Sequence, residues 1–146
     1  MPLIDVTRRP SYVFPEAVGY LGGTEMARQA TTDFIQTVFA PALLKLFAQN
    51  SADFGMDHDT PEDGVQVQLH EYGEHDVNVA DIWIKVQFSE SYPAWGEAPR
   101  IRDAVNDAIV ELFHTHGRNV PDNYILDVFW GPSHGCGSVN GTYIEW

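Results

Sequence analysis

The stretch Pro2-Leu3-Ile4-Asp5-Val6-Thr7 opens the chain and reads as a short apolar-patterned strand over about Leu3 to Thr7. Pro2 stands directly behind the initiator methionine, which is usually trimmed when the next residue is small. The mature chain is then expected to start with a secondary amine. An ordinary chain terminus titrates at roughly 8, so modest burial or a nearby cation brings such an amine close to neutrality, where a general base works best. The alternative is a proline that merely follows a start codon, so the rest of the chain has to decide.

Downstream of this strand, a loop rich in Pro, Gly and aromatics runs from Pro10 to Gly23, and Thr24 is a plausible N-cap. Met26, Ala27, Ala30, Phe34, Ile35, Val38, Phe39, Leu43, Leu46 and Phe47 then recur at helical spacing. Pro41 lies inside that pattern and predicts a kink or break. An acidic loop over 51–63 leads to a second strand, in which Val65, Val67 and Leu69 alternate with Gln66, Gln68 and His70. A turn near Gly73 precedes a third strand, with Ile82, Ile84, Val86 and Phe88 alternating with Trp83, Lys85 and Gln87. Pro99 suits the first turn of a second helix, whose buried face is Ile101, Ala104, Val105, Ala108, Ile109, Leu112 and Phe113, and Gly117 is its stop. A fourth strand over 124–130 and a Gly-rich tail over 131–146 complete the chain.

Strand, helix, strand is therefore read twice, with Pro61-Glu62-Asp63 before strand two echoed by Pro121-Asp122-Asn123 before strand four. Each unit is a right-handed crossover joining parallel neighbours. The expected fold class is α+β, with duplicated β-α-β units forming a four-stranded mixed sheet and two helices on one face. Residues 1–146 are expected to form a single domain, long enough to bury a core. The other sheet face is expected to carry enough apolar area to require a partner, hence an oligomer.

The formal charge is −13, from 21 acids against 8 Lys plus Arg. Such a surface repels phosphate backbones and anionic lipids, so neither nucleic acid nor membrane is an expected partner. An anionic substrate then needs a locally positive pocket inside a negative envelope. One cysteine, Cys136, rules out an intramolecular disulfide, and no basic-then-apolar leader opens the chain. A cytoplasmic, soluble protein is expected.

The Met-Pro start followed by a duplicated β-α-β unit resembles the tautomerase superfamily, which includes oxalocrotonate tautomerases, macrophage migration inhibitory factor and malonate semialdehyde decarboxylase. The resemblance covers most of the chain. Pro2-Leu3-Ile4 is similar to the family's opening. Pro61-Glu62-Asp63-Gly64-Val65-Gln66 resembles the entry to the second strand in the decarboxylase branch, where an aspartate at the position of Asp63 is functional. Ser133-His134-Gly135-Cys136-Gly137-Ser138, with Thr142-Tyr143, resembles that branch's C-terminal hairpin. The resemblance implies a cofactor-independent homotrimer in which Pro2 acts as general base or acid on a small 2-oxo or unsaturated carboxylic acid. The reaction class is keto–enol tautomerisation or isomerisation, with decarboxylation or hydration as variants in which Asp63 activates water. A non-catalytic oligomeric binding protein of the same fold is the competing reading.

The departures lie in the cations. The family's short turn after the first strand, with its arginine, is replaced by a longer aromatic connection, which leaves Arg8 and Arg9 as the nearest carboxylate-binding candidates. Before the second helix, decarboxylase relatives have arginine where this chain reads Trp95-Gly96-Glu97. Arg100 and Arg102 lie one helical turn later. His134 is the candidate pocket-lining donor of the tail. Asp63 as an ordinary loop carboxylate, and Arg8 and Arg9 as solvated charges at a strand end, are the structural alternatives. His114-Thr115-His116 and Asp57-His58-Asp59 lack metal-site spacing, so no metal is expected.

Overall fold

The computed structural model describes residues 2–14, 23–56, 60–73, 75–131, 136–139 and 142–145. Alternation of apolar and polar residues produces the sheet. Strand β1 (Leu3–Arg8) buries Ile4, Val6 and Arg8 on one face, and β3 (Ile82–Phe88) buries Ile82, Ile84, Val86 and Phe88 on the same face. These two central strands run antiparallel, with Ile4 opposite Val86 and Val6 opposite Ile84. β2 (Gln66–Glu71) lies parallel to β1, with Leu3 opposite Gln66. β4 (Tyr124–Trp130) lies parallel to β3, with Phe88 opposite Trp130. The order β2-β1-β3-β4 is that of two β-α-β units related by an approximate twofold between β1 and β3. A separate two-stranded ribbon pairs β5 (Cys136–Val139) with β6 (Thr142–Glu145) in the tail.

Helices cover one face. α1 (Gly23–Phe34) passes through a π turn (Ile35–Phe39) into α2 (Ala40–Gln49), and α3 (Glu97–Thr115) belongs to the second unit. Pro41 does not break the helix, which runs on through it to Gln49. Proline has no N–H to give the carbonyl four residues back, and its ring crowds that carbonyl. The turn just upstream widens instead, so that the Ala40 N–H reaches the Ile35 carbonyl. Buried Phe14, Phe34, Phe39 and Phe113 interlock at the far end of the helical layer, with the Phe39 and Phe113 rings stacked at 4.6 Å. Gly117 ends the second helical segment as expected: its φ is +71°, and Arg118 N donates to the Phe113 carbonyl at 2.9 Å.

The uncovered face is more polar than the sequence suggested. Leu3, Trp83, Ile125 and Phe129 share it with Asp5, Thr7, Gln66, Gln68, His70, Lys85, Gln87 and Asp127, as the register requires. Its polar groups are partly paired. Trp83 Nε1 donates to Asp127 Oδ2 at 2.8 Å, Lys85 Nζ sits 4.3 Å from the Trp83 ring centre, and His70 Nε2 lies 3.3 Å from Asp5 Oδ1.

Candidate active site

Strand direction divides the predicted site residues between the two ends of the sheet. Pro2 is buried at the amino end of β1, where its carbonyl accepts the Gln66 N–H at 3.1 Å. That same end collects the carboxyl ends of β3 and β4, the start of β2 and the start of α3. Asp63 is there too, exposed on the 3-10 turn Glu62–Gly64 just before β2. Pro2 and Asp63 thus share an end of the sheet.

Arg8 and Arg9 do not. Six residues of extended chain separate Pro2 from Arg8, about 20 Å at the strand rise. Arg8 points into the helical layer. Its guanidinium is largely buried and donates to Thr32 Oγ1 and, at 3.0 Å, to Glu71 Oε1. It lines a cavity of about 250 Å³ with Thr32, Ile35, Leu69 and Glu71, beside the π turn. Arg9 is half-exposed and paired with Asp81 at the start of β3. Neither arginine stands beside Pro2 of its own chain. His134 lies outside the described residues, so the tail's contribution as a donor stays an expectation.

Carboxylates dominate the Pro2 end. Asp53, Glu62, Asp63, Glu90 and Glu97 gather there, against Arg100 and Arg102 among the described residues. Both arginines are engaged. Arg100 Nε donates to Glu97 Oε2 at 2.7 Å and its Nη1 reaches the Asp53 carbonyl at 3.4 Å, while Arg102 is bonded to Asp103 at 2.9 Å. At the turn before α3, where the resemblance led to an expected arginine, Trp95 stands fully exposed and Gly96 takes φ +82° at the N-cap. Arg100 and Arg102 therefore do not replace the missing cation as free groups.

A cavity of about 350 Å³ opens at this end between the loop that follows β3 and the 50–56 segment. Gly55, Glu90, Ser91, Tyr92, Glu97 and Trp130 line it. Trp130 is held by stacking on Phe88 at 6.0 Å and by an edge contact to Tyr92 at 5.4 Å. Sequence reading passed over Glu90 and Tyr92. No local pattern marks them; the pairing of Phe88 with Trp130 is what brings them to the same end as Pro2. Among the described residues no three His, Cys, Asp or Glu converge to hold a metal ion, and no helix is long and apolar enough to cross a membrane.

No protein-family model matches the sequence, and no curated protein matches it. Solved structures do. The chain is similar to a macrophage migration inhibitory factor-like protein from Entamoeba histolytica, with 13% identity over 98% of both chains and a TM-score of 0.53. It is also similar to N1, a member of the cis-3-chloroacrylic acid dehalogenase family, with 13% identity over 97% of this chain and 82% of the other and a TM-score of 0.52. A third likeness is to Pt0534, solved after inactivation by 2-oxo-3-pentynoate, with 15% identity over 97% of this chain and 93% of the other and a TM-score of 0.50. These likenesses establish architecture: the chain has the duplicated β-α-β fold of the tautomerase superfamily.

Proposed function

We propose that the protein moves a proton at a small carbonyl compound through Pro2, freed as a secondary amine by removal of Met1. The observation that supports this most directly is the placement of Pro2. It is buried at a sheet end that also holds a cavity and Asp63, in a fold whose members are similar to this chain from end to end. A neutral amine there can take a proton alpha to a carbonyl and return it at another carbon, giving tautomerisation or isomerisation. Protonated, the same group polarises the substrate, and Asp63 can activate water for hydration or decarboxylation. The resemblance implies a small 2-oxo or unsaturated carboxylic acid as substrate. Because Arg8 and Arg9 stand at the opposite end of β1, they can grip its carboxylate only from a neighbouring copy in a homo-oligomer, with His134 as the donor on the tail. No cofactor enters this scheme.

The test combines intact-mass measurement with phenylpyruvate keto–enol conversion. The expected result is a mass lacking one methionine and a Pro2→Ala variant whose kcat/KM falls about 100-fold or more at an unchanged thermal midpoint. Retained methionine, or full activity in Pro2→Ala, removes Pro2 from the mechanism. The preponderance of carboxylates at the Pro2 end favours the second reading, a non-catalytic oligomeric binding protein, in the event that wild type converts neither phenylpyruvate nor other 2-oxo acids.

A further inference from the structure

Arg8 is the one lysine or arginine among the described residues that is buried, its side chain being 9% exposed. Such a charge is costly to hold out of water unless it is paired and its donors are used. Its pairing is thin. Among the described residues its guanidinium bonds leave from a single nitrogen, Nη2, to Thr32 Oγ1 and, at 3.0 Å, to Glu71 Oε1. A guanidinium is a flat fork whose best match is a carboxylate taken by two parallel bonds, and one bond to one Glu oxygen uses part of that geometry. Glu71 is the last residue of β2, and its side chain is 55% exposed. It holds the pair from water, where a carboxylate exchanges easily.

The space beside this pair is the cavity of about 250 Å³. Val6, Ile35 and Leu69 give it apolar walls. Val6 and Leu69 stand opposite each other on β1 and β2, and Leu69 is 38% exposed, so apolar surface is open to a ligand there. The π turn supplies the facing wall through Ile35 and Gln36. Widened turns of this kind recur at functional sites.

From these features we infer that the cavity binds a small monocarboxylic acid with an apolar tail. The carboxylate lies on Arg8, the tail lies among Val6, Ile35 and Leu69, and Glu71 is the chain's own stand-in for that carboxylate, displaced when the acid enters. One negative charge replaces another at the buried guanidinium, so its neutralisation is kept, and Glu71 swings into the water that already reaches it. Inorganic phosphate fits less well, because it brings no apolar part to the walls. The volume lies below the roughly 300 Å³ at which drug-sized sites begin, which restricts the tail to a few carbons. The inference goes beyond the proposed reaction: it places a ligand at the end of β1 away from Pro2, held by groups of one chain.

Isovalerate and its neutral isostere isovaleramide separate charge from shape. The test is titration of the isotope-labelled full chain with each, followed by amide chemical shifts. Isovalerate is expected to move the signals of Val6, Thr32 and Leu69 with a Kd below about 10 mM, and to bind about tenfold or more tightly than the amide. Glu71→Gln removes the internal competitor and should tighten isovalerate about three- to tenfold. The same substitution leaves Arg8 without its carboxylate and should lower the thermal midpoint, which isovalerate restores and equal isovaleramide or sodium chloride does not. Arg8→Lys keeps the charge without the fork and should weaken isovalerate about tenfold, with the circular dichroism spectrum intact. Pro2→Ala should bind isovalerate as wild type does, so failure of the Pro2 mechanism leaves this inference standing and the reverse holds too. Equal affinity for acid and amide, shifts confined to residues away from the cavity, or a Glu71→Gln variant that binds isovalerate no more tightly than wild type overturns it.

Discussion

Single residues carry the sharpest constraints. Gly55 has φ +73°, and a β-carbon placed there would stand 2.5 Å from Ile101 Cδ1 inside the packed layer. Both the backbone conformation and the space exclude a side chain. Gly55→Ala is therefore expected to destabilise the fold by about 1–3 kcal/mol, readable as a lowered urea midpoint at constant slope. Tyr124 presents the opposite case. Its hydroxyl is buried without a partner among the described residues, and burial pushes its phenol well above the ordinary value of 10.0. The folded state keeps this proton while the unfolded chain releases it, so stability falls as pH rises past 10 towards the raised value. Tyr124→Phe should remove that alkaline loss and leave the midpoint at neutral pH unchanged or raised by up to about 1 kcal/mol, since no hydrogen bond is lost. Of the predicted site residues, the inward direction of Arg8 was legible in principle. The alternation that buries Ile4 and Val6 continues to position 8, and Glu71 sits opposite it on β2. What the alternation could not convey is distance along the strand from Pro2, because chain proximity of six residues becomes about 20 Å once the segment is extended.

Elements were read well where a hydrophobic period is long and less well where it is interrupted. The two helical faces and the alternation of β1 and β3 are visible because each buried position repeats at fixed spacing. β2 shows the weakness of the same signal at a sheet edge. Val65 is buried and Val67 partly so, but Leu69 is 38% exposed beside the Arg8 cavity. The π turn could not be located from sequence, because the wide hydrogen bond lies upstream of the proline that requires it. Its consequence is a shift in the helical phase, which the apolar pattern absorbs: Ile35 and Phe39 stay buried before the turn's end, and Leu43 and Phe47 after it. That continuity is a statement about energy. Phe47 is fully buried against Phe54 at 5.0 Å and Phe88 at 6.2 Å, and so ties α2 to the loop after it and to the sheet. Phe47→Ala should cost about 3–5 kcal/mol in chemical denaturation, whereas substitution of exposed Gln36 by Ala within the π turn should change stability by less than about 0.5 kcal/mol. A large loss from the second change would mean that the π turn itself, and not the packing of α2, fixes the phase.

At the scale of the whole molecule, the twofold relation between the two β-α-β units makes the uncovered face informative. The pseudo-axis exchanges Leu3 with Trp83 and Asp5 with Lys85, so the centre of the face pairs opposite charges across β1 and β3. Asp127 extends that row on β4, giving Asp5, Lys85 and Asp127 side by side. Apolar exposure is not symmetric: Ile125 and Phe129 are 41% and 48% exposed on β4, where the first unit has Gln66 and His70 on β2. A face with oppositely charged residues on neighbouring strands at its centre and exposed apolar groups on one edge strand suits burial against another copy. The wild-type chain is accordingly expected to sediment as a multiple of its 16.4 kDa, with three copies implied by the fold's resemblance. Phe129→Glu puts a third carboxylate beside Asp127 on the apolar edge and should release monomers that keep the far-ultraviolet spectrum of the parent. The same variant tests the placement of Arg8 and Arg9. If a neighbouring copy supplies the carboxylate grip, a folded Phe129→Glu monomer loses turnover of 2-oxo acids together with assembly. A monomer as active as wild type would show that one chain suffices, and that the cation opposite Pro2 has to come from its own tail.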